Sequence, residues 1–183
     1  MMKVFLAGVV GGVIVFAWGA FSHMVLPIGE MGGIQSLPNE EVLLEEFRNT
    51  LPEAGLYFFP GMIKSPSPEE REEWKAKYQS GPAGILVYQP IGGEPLSLRK
   101  LLNELLSDIL AAVLAAFVVI MITASYMRRV MAVTLLGLFA WVSISVSYWN
   151  WYGFPGSFIA MEAMDQVVGW LLGGLAIAKI AKS

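Results

Sequence analysis

Few residues in this chain have side chains free to do chemistry. They are one histidine, His23, and four carboxylates, Glu104, Asp108, Glu162 and Asp165, that stand apart from the acid-rich stretch. Glu104 and Asp108 are spaced i,i+4, and Glu162 and Asp165 i,i+3, so on helices each pair shares a face. Ser143 and Ser147 share another face, with Asn150 just beyond. Carboxylates grouped around one imidazole have three chemical uses. They hold a divalent cation through oxygen ligands, they relay protons or pass a solute cation, or they act as acid and base in hydrolysis. The plainer alternative is structural, because acids near helix N-termini are favoured by the helix dipole.

Motifs narrow these choices. There is no Glu-x-x-His pair of the di-iron bundle type, no Gly-x-Ser-x-Gly, no His-Glu-x-x-His, no phosphate-binding glycine loop and no second histidine. The absence of cysteine removes thiolate metal sites, cysteine nucleophiles and disulfides together. No cofactor is expected. The one alternative is a divalent cation at His23, Asp108, Glu162 and Asp165, with Glu104 and Asn150 as weaker members.

These residues must be positioned by strongly apolar elements. Hydrophobic residues make up 56% of the 183 positions and charged residues only 15%, well under the share in soluble domains. The charges are also uneven: residues 27–98 hold 11 of the 15 acids and 5 of the 12 bases. A net charge of -3 without a basic face argues against nucleic acid as a partner. The remainder contains four apolar runs, Val4–Leu26, Leu102–Ser125, Val130–Trp149 and Phe158–Ala178, each of about 20 residues or more. Such runs span the roughly 30 Å hydrocarbon core of a bilayer as helices. The first continues past Gly19 and reads as a retained helix rather than a cleaved signal. The expected fold is therefore an all-α membrane protein: a four-transmembrane-helix bundle with a small α/β module between the first and second helices. Residues 1–26 form helix one, 27–98 the module, and 99–183 the other three helices.

Basic residues set the expected orientation. Lys3, Arg128, Arg129, Lys179 and Lys182 all flank helix ends on one side if both termini are cytoplasmic, against Arg99 and Lys100 on the other. Residues 27–98 then lie outside, and the four acids and His23 form one layer toward the outer leaflet. Within the module, Asn39 is expected to cap a helix over Glu40–Thr50, and Ser67-Pro68-Glu69-Glu70 a second helix through a capping box. Leu56–Phe59 and Ile85–Tyr88 read as strands. A module this small, without disulfides, has a thin core, so docking on the helix ends is expected.

Gly8, Gly12, Gly169 and Gly173 carry the small-xxx-small spacing that lets helix backbones meet. The uses for those faces are packing within the bundle, a membrane protein partner or a second copy. The Trp149–Pro155 cluster reads as an interfacial aromatic belt, with a cation-binding patch as its sharper alternative.

Three stretches, Phe21–Gly32, Gly84–Tyr88 and Ser143–Pro155, together resemble a family of small four-helix bacterial integral membrane proteins with no assigned activity. The resemblance implies a multi-pass protein of the bacterial inner membrane, and brings no activity, cofactor or catalytic residue. The functional expectation is a non-enzymatic accessory or structural subunit, or a membrane scaffold. The alternative is a small ion or solute transporter, or a cation-binding protein, that uses the carboxylate and histidine cluster.

Overall fold

The computed structural model describes residues 1–61 and 63–181, so Lys182 lies outside the described residues. Along them the elements run α1 (Met2–Met24), α2 (Ile28–Met31), α3 (Glu40–Thr50), β1 (Gly55–Phe59), α4 (Pro68–Ser80), β2 (Gly84–Tyr88), α5 (Leu98–Met121), α6 (Tyr126–Tyr152) and α7 (Gly156–Ile180). They divide into two compact units, Met1–Gln35 with Pro95–Ser183, and Ser36–Glu94.

In the first unit α1, α5, α6 and α7 are each long and apolar enough to cross a membrane. The helices extend past their apolar runs because local signals set their ends. The Ser97 side chain accepts from the backbone N–H of Lys100 and starts α5 four residues before Leu102. Gly153, in the left-handed region at φ 74°, ends α6 after Tyr152.

Packing in this unit follows the small residues. A Cβ on Gly8 would overlap Val113, and one on Gly12 would overlap the backbone of Ile109, so both glycines bring α1 against α5. Gly11 gives way to Ile177 of α7, and a Cβ on Gly173 would come within 3.3 Å of the Gly11 carbonyl oxygen. A Cβ on Gly174 would sit 3.2 Å from the Val133 Cβ of α6. Of the uses expected for the Gly8/Gly12 and Gly169/Gly173 faces, packing within the chain is the one these contacts show. Helix α1 packs along both α5 and α7, and α7 along α6, whereas α5 and α6 barely meet. The expected bundle is therefore open, a row α5–α1–α7–α6 with a lesser α5–α7 contact. Its core is Val4, Ala7, Ala112, Ala115, Ala116, Val119, Val133, Ile177 and Ala181. On its other face α5 carries Leu102, Leu106, Leu110 and Leu114, all exposed at i,i+4 spacing.

The stretch after α1, read from the sequence as the start of the module, belongs instead with the helices. Ile28 of α2 is buried, and the Ser157 hydroxyl donates to the Gly32 carbonyl at 3.1 Å. The second unit thus begins only at Ser36.

That second unit is built on an antiparallel pair of strands, β1 and β2, joined through α4 and in register from Gly55↔Tyr88 to Phe59↔Gly84. Aromatic rings fix one helix to each face. Phe47 of α3 meets Tyr88 edge-on at 6.3 Å, with Tyr57 on the same face. Phe58 stacks on Tyr78 of α4, and the Trp74 indole N–H donates to the Pro60 carbonyl at 3.1 Å. The Ser67–Glu70 capping box is present with both bonds. The Asn39 cap is not. Asn39 adopts φ 53°, a left-handed conformation that Asn tolerates, and its side chain makes no cap bond; its carbonyl opens α3 instead.

The glycine contacts give a direct test. Gly12→Ala places a Cβ on α5 backbone and is expected to cost roughly 1–3 kcal/mol in the full-length protein. Gly19→Ala, whose Cβ would meet nothing within 4 Å, is expected to be neutral or stabilising by up to about 1 kcal/mol. Thermal unfolding in detergent compares the two; equal effects would contradict this packing.

Candidate functional site

Where α1, α5 and α7 separate above their glycine contacts, they enclose a cleft of about 360 Å³. Its α1 wall runs from Val15 to Met24, about 13 Å along the helix axis. His23 and Asp165 face each other across it, with His23 Nε2 3.4 Å from Asp165 Oδ2. The imidazole is half exposed at 51%, while the Asp165 side chain is only 14% exposed. Asp108 and Glu104, one turn apart on α5, line the same cleft. Asp108 is within electrostatic reach of both Glu104 and Asp165.

Depth differs from the sequence expectation for Asp108. A Cβ on Gly12 would touch the Asp108 carbonyl carbon at 2.9 Å, so Asp108 stands at the mid-height of α1 rather than near its outer end. The early start of α5 at Leu98 causes this, since it places ten helical residues before Asp108.

Other members of the expected cluster lie elsewhere. Glu162 lines a separate cavity of about 280 Å³ between α6 and α7, with Trp141, Ser145 and Tyr148. It remains within electrostatic reach of Asp165 and His23. Asn150 is exposed and lines neither cavity. Ser143 and Ser147 are exposed as well, and the Ser143 hydroxyl donates to the Ala140 carbonyl of its own helix; Ser145 is the buried serine of α6. The single outer layer expected from all four helices is therefore a three-helix cleft plus a neighbouring cavity. Among the described residues, no three His, Asp or Glu side chains converge closely enough to hold a metal ion.

Three site residues were not singled out from the sequence: Trp18, Gln166 and Trp170. Each tryptophan is seated by a glycine on the next helix. A Cβ on Gly169 would lie 3.1 Å from Trp18 Cδ1, and one on Gly137 of α6 would overlap Trp170. The Trp170 indole donates to Gln166 Oε1 at 3.0 Å, and Gln166 borders both cavities. The signal in the sequence is the i,i+4 spacing of Asp165 and Gly169, which puts a carboxylate one turn above a seat for a ring.

Two atoms of the cleft have no partner: the Trp18 indole N–H and Asp165 Oδ1, both buried and without a hydrogen bond. An orphan donor and an orphan acceptor in one cleft are the opposite of a finished protein interior, where buried polar groups are paired. Comparison of the chain with protein-family models, with curated proteins and with solved structures finds no match.

Leaving a buried acceptor unpaired costs about 1–3 kcal/mol. Asp165→Leu is therefore expected to raise the stability of the unliganded protein. A fall in its unfolding midpoint would show that the carboxylate is already satisfied.

Proposed function

We propose that this chain is a non-enzymatic, multi-pass membrane protein that binds a small organic cation in the α1/α5/α7 cleft. The observation that carries the proposal is the unpaired, buried Asp165 oxygen beside Asp108 and Glu104, in a cleft walled by Phe16, Trp18 and Trp170. Three carboxylates and one imidazole lining a largely apolar cleft favour a positive guest. Aromatic rings favour an ammonium group over a bare ion through cation–π attraction. A volume of about 360 Å³ suits a molecule of several heavy atoms. The Trp18 N–H, which lacks an acceptor, favours a guest that carries one.

Isothermal titration of the full-length protein with butylammonium and with protonated 4-amino-1-butanol tests this reading. Both are expected to bind, the amino alcohol more tightly. Asp165→Asn is expected to weaken both by about ten-fold or more, and Trp18→Phe to erase the difference between them. Equal binding by wild type and Asp165→Asn, or none by wild type, would overturn the reading.

A second reading, an accessory or structural subunit, is supported by the open row of helices. Helix α6 is held along α7 and hardly touches α5, which leaves the α5–α6 side unfilled by this chain. Binding a cation and seating a neighbour are compatible roles.

For placement, we propose the bacterial inner membrane, with both termini cytoplasmic and residues 27–98 outside. Four long apolar helices support a multi-pass protein. Lys3, Arg128, Arg129 and Lys179 at one end of the row support the orientation. Because the chain has no cysteine, single substitutions report the topology cleanly. Ser65→Cys is expected to react with an impermeant maleimide in intact cells, and Ser125→Cys only after permeabilisation. The reverse pattern would invert the orientation.

A further inference from the structure

At the opposite end of the helix row from the cleft, Arg129 is 9% exposed, and its Nε is buried with no hydrogen-bond partner. No ion pair to it occurs among the described residues. The sequence offers no acidic side chain nearby on the helices, because 1–22, 109–161 and 166–180 contain no Asp or Glu. A guanidinium nitrogen buried without a partner is costly, and more so at the edge of hydrocarbon.

A second unmet need lies one turn away. Ser67 and Ser97 cap α4 and α5 with their side chains, but Ser125, at the equivalent position of α6, makes no cap bond. The first-turn N–H groups of α6 thus have no side-chain cap. Long helical side chains lean toward the helix N-terminus, which directs the Arg129 fork to that same end. Tyr126 anchors the start of α6 to α7 by donating to the Leu175 carbonyl at 3.0 Å. Lys3 and Lys179 lie at this end too, since their neighbours Val4 and Ala181 share one core cluster.

We propose that Arg129 and the uncapped start of α6 form an anion site for a phosphate group. A helix N-terminus with a guanidinium fork matches phosphate in charge and in donor geometry. The site rests on the membrane reading only for the source of that phosphate. With 27 residues, α6 is about 40 Å long, so its ends overhang a 30 Å core by about 5 Å. Arg129, the fourth residue, then stands at the boundary where the phosphates of lipid headgroups lie.

The test uses full-length protein in detergent, with ligand retention read by native mass spectrometry. The probes are phosphatidylglycerol, inorganic phosphate and diacylglycerol, the last having acyl chains but no phosphate. Phosphatidylglycerol is expected to be retained and diacylglycerol not. Arg129→Gln is expected to weaken retention by about ten-fold or more, and Arg129→Lys, which keeps the charge without the fork, by several-fold. Exposed Arg128→Gln is expected to leave retention nearly unchanged. If Arg129→Gln does not fold, the Lys variant carries the comparison. Retention of inorganic phosphate alone, lost in the Arg129 variants, keeps the site and assigns it a soluble source. Diacylglycerol binding as well as the phospholipid, or wild-type and Arg129 variants binding alike, overturns it. Fractionation of the protein with membranes is scored separately, so the site and the membrane reading fail independently.

Discussion

The close approach of helix α1 to both of its neighbours is the constraint on which the rest of the first unit depends. Gly8 and Gly12 present bare backbone to α5, while Gly11 and Gly173 do the same between α1 and α7. Three glycines within five residues of α1 serve two different partners, because Gly8 and Gly12 share one face and Gly11 is turned toward another. For helices set in lipid, where burial of hydrocarbon gives little reason to associate, such backbone contact would be the main source of attraction. The same contacts determine where the helices diverge. Above Gly12 the side chains grow from glycine to Val15, Phe16 and Trp18, which line the α1 wall of the cleft.

The polar content of the cleft follows from that divergence. Asp108 is carried to the mid-height of α1 because its neighbour Ile109 is the residue that Gly12 contacts. Asp165 is brought to His23 because Gly169, one turn further on, seats Trp18. Each carboxylate is thus placed by a glycine contact four or fewer residues away, and packing and chemistry are parts of one arrangement. The two tryptophans contribute differently. Trp170 has its N–H satisfied by Gln166, whereas the Trp18 N–H is buried without a partner.

Much of this was legible in the sequence, for identifiable reasons. The four apolar runs locate the long helices, and their glycine spacing marks the faces that pack. The Ser67 capping box and the two short strands were also readable, because each is specified by residues adjacent in the chain. What was not legible depends on contacts distant in sequence. The pairing of His23 with Asp165 spans more than a hundred residues, and no local pattern announces it. Glu162 shares a helical face with Asp165 by spacing, yet the insertion of Gln166 and Trp170 between α7 and its neighbours leaves it in a different cavity. The Asn39 cap failed for a local reason: its left-handed backbone removes the side chain from the N–H groups it was expected to meet.

The row of helices also has a consequence for how the molecule comes into being. Helix α1 is made before its two partners, α5 and α7, which lie downstream, beyond the whole Ser36–Glu94 unit. At roughly 5–20 residues per second of synthesis, the glycine face of α1 waits on the order of ten seconds or more before Ile177 emerges to fill it. Until α5 emerges, α1 is an unpaired helix with bare backbone on two sides, and until α7 emerges on one. Of the four helices in the row, α1 is therefore the one that waits longest, and α7 completes its packing.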